Sequence, residues 1–132
     1  MPTTIQPVIL TPDLDRLQAF YADLLGAVEV DRIPEQGPPF FLGLRIGDSA
    51  LGLVSDAGVP IGVSQVPQRI LLSIDVADVD RLLERVEAAG GRVPSPPNDM
   101  SWGQRVAHIH DPDTNAVNLT QQIATGGSPG TS

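Results

Sequence analysis

Two copies of one five-residue pattern decide the fold of this chain. The first copy is Asp13-Leu14-Asp15-Arg16-Leu17 and the second is Asp78-Val79-Asp80-Arg81-Leu82, an offset of 78 − 13 = 65 residues. At the same offset Gly26 meets Gly91 and Val28 meets Val93, so the register holds through a whole helix and its end. A period of 65 residues in a chain of 132 indicates two modules, because solenoid repeats are shorter and more numerous.

Each copy predicts the same order of elements, namely strand, helix and three further strands. The helices carry apolar residues at helical spacing, acids in the first turn and glycine at the end. The apolar helix positions are Leu14, Leu17, Tyr21, Leu24 and Leu25 before Gly26, and Val79, Leu82, Leu83, Val86 and Ala89 before Gly90-Gly91. The predicted strands are 5–10, 27–32, 40–46 and 50–55 in the first copy, and 70–76, 92–94, 105–110 and 116–122 in the second.

The predicted fold is therefore α+β. Two βαβββ modules form a curved mixed sheet around a cavity, with the helices outside. Residues 1–124 make one domain with repeats at about 4–56 and 68–123, and residues 125–132 are expected to be a flexible tail.

Alternation along the strands separates a helix-covered face from an open face. In the third strand Leu42, Leu44 and Ile46 should lie under the helix, which turns Phe41, Gly43 and Arg45 to the open face. In the fifth, Ile70, Leu72 and Ile74 lie under the helix and Arg69, Leu71 and Ser73 lie opposite. In the last, Val117 and Leu119 are covered, while Asn118 and Thr120 point away. A concave open face of mixed polarity suits a ligand cavity.

The composition excludes several classes of function. Sixteen acids against eight arginines and no lysine give a formal charge of −8, which argues against nucleic acid or an anionic membrane as partner. The chain has no cysteine, so disulfides and thiolate sites are excluded. No apolar run approaches the ~18–20 residues of a membrane span, and no secretory signal is evident at the start, so a cytoplasmic protein is expected. Phosphate-binding loops and serine nucleophile elbows are also absent from the sequence.

Two stretches resemble the vicinal oxygen chelate superfamily, which includes glyoxalase, bleomycin resistance and extradiol dioxygenase proteins. The first stretch runs from Thr11-Pro12-Asp13 through Phe20-Tyr21 to Leu24-Leu25-Gly26. The second is Trp102-Gly103-Gln104-Arg105 followed by Asp111-Pro112-Asp113-Thr114-Asn115. The resemblance covers about residues 6–121 and implies a small-molecule site and a homodimer. The family usually has glycine where this chain has Thr114, a position that tends to need positive φ, so strain or a different turn type is expected there.

The resemblance also implies where a divalent metal would be held. Family members that do chemistry use inward His, Gln or Glu side chains on the first, fourth, fifth and eighth strands. Counting from the helix starts and the hairpin, these positions fall on Gln6, Leu53, Leu71 and Asn118. Two of them are leucines, and transition-metal sites need three or more N, S or carboxylate ligands. We therefore expect no metal cofactor at the family positions.

A displaced metal site is the alternative. His108 and His110 are two residues apart on a strand and therefore share a face, and Asp111, Asp113 or Gln6 could supply a third ligand. The simpler interpretation is that His108 hydrogen-bonds a ligand or Asn118, while His110 lies at the rim.

Four further side chains have both a structural and a functional interpretation. Arg69 and Arg45 lie on the open side, where guanidinium groups either pair with acids at the rim or bind a carboxylate, phosphate or polar aromatic ligand. Trp102, the only tryptophan, either packs as a lid or stacks on a flat ligand. Arg105 should point to the outer face and pair with acids of the helices.

Three functions remain open from the sequence. The first is a metal-free protein that sequesters or recognises a polar or aromatic metabolite or drug, probed first with small anionic or polar ligands. The second is a divalent-metal lyase, isomerase or dioxygenase with a rearranged site. The third is a metal-free enzyme in which His108 is the general base. The predicted ligand-binding residues are Gln6, Phe41, Leu53, Arg69, Leu71, Trp102, His108 and Asn118.

Overall fold

The computed structural model describes residues 4–60 and 70–123, and the chain divides into two compact units, Met1–Val63 and Ser64–Ser132. The predicted tail and Arg69 lie outside the described residues. Of the described helices, neither is long and apolar enough to cross a membrane.

The first unit is a four-stranded sheet with one helix. Its elements are β1 (Val8–Thr11), α1 (Leu14–Leu25), β2 (Val28–Ile33), β3 (Phe41–Ile46) and β4 (Ser49–Ser55). The strand order is β1-β4-β3-β2, with β1 parallel to β4 and the other pairs antiparallel. Its core consists of fully buried apolar side chains of the helix and the covered sheet face, namely Leu17, Phe20, Tyr21, Leu42, Leu44 and Leu53.

The second unit repeats this plan. Its elements are β5 (Leu72–Asp75), α2 (Val79–Val86), β6 (Asn98–Asp99), β7 (Gln104–His110) and β8 (Ala116–Gln122). The strand order is β5-β8-β7-β6, with β5 parallel to β8. Its most buried apolar side chains are Val79, Val86, Ala107, Ile109, Val117 and Leu119. The predicted α+β architecture of βαβββ modules is confirmed.

The repeated acidic pattern begins both helices by the same contact. The carboxylate of Asp13 accepts a hydrogen bond from the Arg16 amide at 3.1 Å, and that of Asp78 accepts one from the Arg81 amide at 3.1 Å. Each bond satisfies one of the amides that a helix leaves unpaired at its start. The sequence pattern therefore marks both helix starts correctly.

The helix ends differ between the units. Gly26 ends α1 in the left-handed region with φ 71°, as expected. By contrast, α2 ends at Val86, earlier than the predicted stop at Gly90-Gly91. The chain tightens there, because the Ala89 amide bonds the Val86 carbonyl and the Gly90 amide bonds the Glu87 carbonyl.

The edge strand of the second unit was predicted in the wrong place. The predicted strand 92–94 is reduced to a single bridge between Arg92 and His110, and the strand β6 forms instead at residues 98–99. Pro94, Pro96 and Pro97 have no amide hydrogen to give to a ladder, which explains the interruption.

Thr114 keeps the positive φ expected of glycine, at 72°. The surrounding turn holds it there, because one carboxylate oxygen of buried Asp111 accepts from the amides of Asp113 and Asn115 at 3.0 and 2.9 Å. The other oxygen accepts from the Asn115 side chain at 2.9 Å. The expected strain is therefore present, since β-branched residues disfavour this region.

Candidate functional site

The sheet of the second unit has a polar open face. Alternation puts Val117 and Leu119 on the covered face, where both are buried, and turns Asn118 to the other side, as predicted. Asn118 is paired directly with His108 on β7 and with Ser73 on β5. A row of three polar side chains thus crosses three adjacent strands.

His108 and Asn118 are joined by the shortest contact of this row. Nδ1 of His108 lies 2.6 Å from Oδ1 of Asn118. His108 is exposed, so the remaining ring nitrogen, Nε2, can be reached from solvent. The structure therefore brings together two of the predicted binding residues.

The neighbouring rows of this face carry further polar groups. The Thr120 hydroxyl donates to Oδ1 of Asp75 at 3.1 Å, one row away from Asn118. His110 shares the face of His108 by alternation and is paired with Ala116 and with Arg92. Hydroxyl, amide, carboxylate and imidazole groups therefore lie side by side here.

Arg105 lies on the opposite face, as its strand position predicts. Its guanidinium binds Asp99 at 2.7 Å and Asp80, near the start of α2, at 3.0 Å. The hydrogen bonds from Asp99 and then Asp80 raise the pKa of Arg105 above its usual value. Arg105 ties the helix to the edge strand and takes no part in the open face.

Trp102 lies beside this face and is well exposed, with 57% of its surface accessible. Its indole Nε1 donates to Oε1 of Gln104 at 2.9 Å. An indole that is more than half exposed is available for stacking on a flat ligand.

The open face of the first unit is built around two glycines. Gly43 and Gly52 are direct partners on β3 and β4. A Cβ atom at Gly52 would lie 3.1 Å from Cε1 of Phe41, 3.1 Å from Cγ2 of Val8 and 3.3 Å from Nε2 of Gln6. One at Gly43 would lie 3.5 Å from Cε2 of Phe41. The Phe41 ring therefore lies across the glycine pair, with Gln6 beside it.

Leu53 does not line this face, so its predicted site role is wrong. It is fully buried with the core, while its neighbour Gly52 faces Phe41. The registers show the cause: Val8 pairs with Gly52 and Ser73 with Asn118, so the offset is 73 − 8 = 65 for the first strands but 118 − 52 = 66 for the last ones. A slip of one residue turns a strand side chain to the opposite face.

The remaining predicted residues are placed as follows. Leu71 precedes β5 and is 49% exposed, but the β5 residue paired with Asn118 is Ser73. Arg45 is exposed and, by alternation from Gly43, lies on the open face of the first unit. Arg69 lies outside the described residues.

Comparison with known proteins places the chain in a family. The sequence profile of the glyoxalase/bleomycin resistance protein/dioxygenase superfamily matches residues 4–119. The chain belongs to this superfamily. No curated protein sequence gives a significant match.

Solved structures of superfamily relatives share the fold. A glyoxalase/bleomycin resistance protein/dioxygenase family enzyme from Burkholderia phytofirmans PsJN is 24% identical with a TM-score of 0.71, over 89% of this chain and 97% of that one. TioX from Micromonospora sp. ML1 is 22% identical with a TM-score of 0.69, over 93% and 98%. The fosfomycin resistance protein FosX from Listeria monocytogenes is 16% identical with a TM-score of 0.71, over 93% and 95%. At these identities the similarity establishes the fold alone.

The side chains do not fit the metal that the superfamily resemblance implies. With the register corrected, the first unit offers Gln6 beside Gly52, and the second offers Asn118 beside Ser73, where imidazole and carboxylate ligands would be needed. In residues 4–60 and 70–123, no three His, Cys, Asp or Glu side chains are grouped so as to hold a metal ion. The pair His108 and His110 thus has no described third ligand of these types.

Sequence reasoning did not assign roles to Ser73, Gly43 and Gly52. Ser73 was recognised as open-facing, but only the strand register shows that it adjoins Asn118. The glycines carry a readable signal, because glycine inside a strand often marks a close approach of other groups.

Proposed function

We propose that this protein binds a polar or aromatic metabolite or drug without a metal and sequesters or recognises it. The hydrogen-bonded pair His108 and Asn118 on the open face of the second unit carries this proposal. The pair offers hydrogen bonding at exposed positions, and its surroundings supply too few strong ligands for a transition metal.

The first unit supports an aromatic or apolar part of the ligand. The Phe41 ring is partly exposed and rests on the glycine pair, so one side of it can take a flat group. Val8 and Leu10 on the same strand face add exposed apolar surface, each about half accessible. Ligands with a ring and a polar substituent are therefore the first to test, and antibiotics join the panel because FosX is named for fosfomycin resistance.

Fluorescence of Trp102 tests this proposal directly, because it is the only tryptophan in the chain. We expect quenching by at least one member of a panel of phenols, aromatic acids, aliphatic acids and antibiotics. His108→Ala should weaken that binding roughly tenfold, since one lost hydrogen bond is worth about 1 kcal/mol.

Gln122→Ala is the matched control, since Gln122 lies on the same strand and face as Asn118. Its affinity should equal that of the unchanged protein. Silence across the whole panel, or equal binding by His108→Ala, would contradict the proposal.

A metal-free enzyme is the second candidate, and the exposure of His108 is the observation that favours it. An imidazole reachable at Nε2 can act as a general base. Turnover of a bound compound that is abolished in His108→Ala, without added metal, would establish this function in place of simple binding.

We also propose that the protein acts as a homodimer, as the superfamily resemblance implies. Light scattering on the purified chain should give twice the monomer mass of 13.9 kDa. A monomer at micromolar concentration would rule this out.

A further inference from the structure

We propose that Asn118 fixes His108 in its Nδ1-protonated tautomer, so that Nε2 accepts a hydrogen bond from a hydroxyl group of the ligand. This inference rests on the proposed binding function and names the chemistry of its ligand. It assigns Asn118 as a positioning residue and His108 as the residue that contacts the ligand.

The tautomer follows from the atoms of the contact. The amide oxygen of Asn118 can only accept a hydrogen bond, so the His108 Nδ1 that lies 2.6 Å away must carry the proton. In neutral imidazole the other nitrogen, Nε2, then holds an unshared electron pair and is an acceptor. A histidine side chain free in water prefers the opposite tautomer, so the choice here is imposed by Asn118.

The two side chains are held in place by the strands that carry them. His108 and Asn118 are direct partners in the antiparallel ladder of β7 and β8. Their chain neighbours Ala107, Ile109 and Val117 are buried on the covered face, with at most 1% of their surface accessible. The backbone positions of the pair are therefore fixed by the core, which favours one geometry of the contact.

The surroundings favour a neutral hydroxyl over an anion as the group that Nε2 receives. An acceptor nitrogen attracts a donor and repels a carboxylate. The carboxylate of Asp75 lies on the same face and already holds the Thr120 hydroxyl at 3.1 Å. Arg105, the cation on the same strand as His108, lies on the other face and is engaged by Asp80 and Asp99.

This changes the expected ligand. Sequence reasoning put small anions first because Arg45 and Arg69 were assigned to the open side. The described face of the second unit instead presents an acceptor at the centre of its polar row. A phenol or an alcohol fits that acceptor.

Nitrogen-15 NMR of the imidazole rings tests the tautomer in the ligand-free protein. The chain has only two histidines, so His108 and His110 give two separable ring systems. Above the titration range we expect His108 to show a protonated Nδ1 and an unprotonated Nε2. Asn118→Ala should shift the tautomer ratio roughly three- to tenfold toward Nε2–H, as expected for the loss of one hydrogen bond. Asn118→Asp keeps an acceptor and should preserve Nδ1–H, and Gln122→Ala should change nothing.

Phenol and anisole then test the ligand chemistry, because only phenol donates a hydrogen bond. We expect phenol to shift the His108 Nε2 resonance and anisole at the same concentration to shift it much less, with the difference lost in Asn118→Ala. A protonated Nε2 in the ligand-free protein, an unchanged tautomer in Asn118→Ala, or equal shifts from the two probes would each overturn the inference. The tautomer measurement needs no ligand, so failure of the wider binding proposal in the fluorescence panel remains distinguishable from failure here.

Discussion

The glycine pair in the first unit gives a quantitative prediction: alanine should be tolerated at Gly52 and resisted at Gly43. The two residues face each other across β3 and β4, yet their surroundings differ. A Cβ at Gly52 would meet the outer atoms of Phe41, Val8 and Gln6 at 3.1–3.3 Å. A Cβ at Gly43 would meet the Cβ of Asp31 at 3.0 Å.

The magnitudes follow from what can move. Phe41 is partly exposed and Val8 and Gln6 are exposed, so these side chains can rotate away by a few tenths of an ångström. Overpacking typically costs about 1–3 kcal/mol, whereas replacing glycine in a strand returns roughly 0.5–1 kcal/mol of backbone entropy. At Gly52 the two effects nearly cancel, so the free energy of unfolding should change by less than about 1 kcal/mol.

At Gly43 the obstacle is attached to backbone. Direct cross-strand partners normally keep their Cβ atoms about 4.5–5.5 Å apart, whereas the distance to Asp31 would be 3.0 Å. The ladder of β2 would have to shift next to its irregularity between Glu29 and Asp31. Gly43→Ala should therefore destabilise by about 1–3 kcal/mol.

Urea unfolding followed by circular dichroism measures both variants at equal m-value. The expected order is unchanged protein and Gly52→Ala close together, with Gly43→Ala clearly lower. If Gly52→Ala is destabilised as much as Gly43→Ala or more, the reasoning from movable and fixed neighbours is refuted.

Two further predictions concern the turn at Thr114 and the ion pair of Glu29. Thr114→Gly should stabilise the protein by about 0.5–1 kcal/mol, because relief of the positive φ exceeds the entropy cost of glycine; a lower urea midpoint would contradict this. The hydrogen bond from Arg32, followed by that from Gln18, lowers the pKa of Glu29 against the opposing effect of burial. Its stabilisation is therefore present above the usual value of 4.5 and is lost as pH falls through the lowered pKa. Glu29→Gln should be slightly less stable than the unchanged protein at pH 7 and equal to it in strong acid, and a gap that widens on acidification would refute the assignment.

Local signals made most of the fold predictable from the sequence. The caps at Asp13 and Asp78 and the end at Gly26 are set by neighbouring residues, so they could be inferred without tertiary information. The same holds for the open face of Asn118 and its contact with His108, since alternation decides which side a strand residue takes.

The rest depends on how strands pair, which the sequence does not specify locally. The repeat offset is 65 at the helices but 66 at the last strands, so Leu53 was assigned to the wrong face. The strand β6 forms at residues 98–99 because prolines interrupt the position expected from the first copy. The adjacency of Ser73 and Asn118 likewise follows from the parallel register of β5 and β8.

The metal content of the purified chain tests the central claim most directly. Elemental mass spectrometry on protein prepared without a histidine tag should find transition metals far below one equivalent, since Gln6, Ser73 and Asn118 are weak ligands. One equivalent of zinc, iron or manganese in the unchanged protein that disappears in His108→Ala would contradict the account and establish a metal-dependent site.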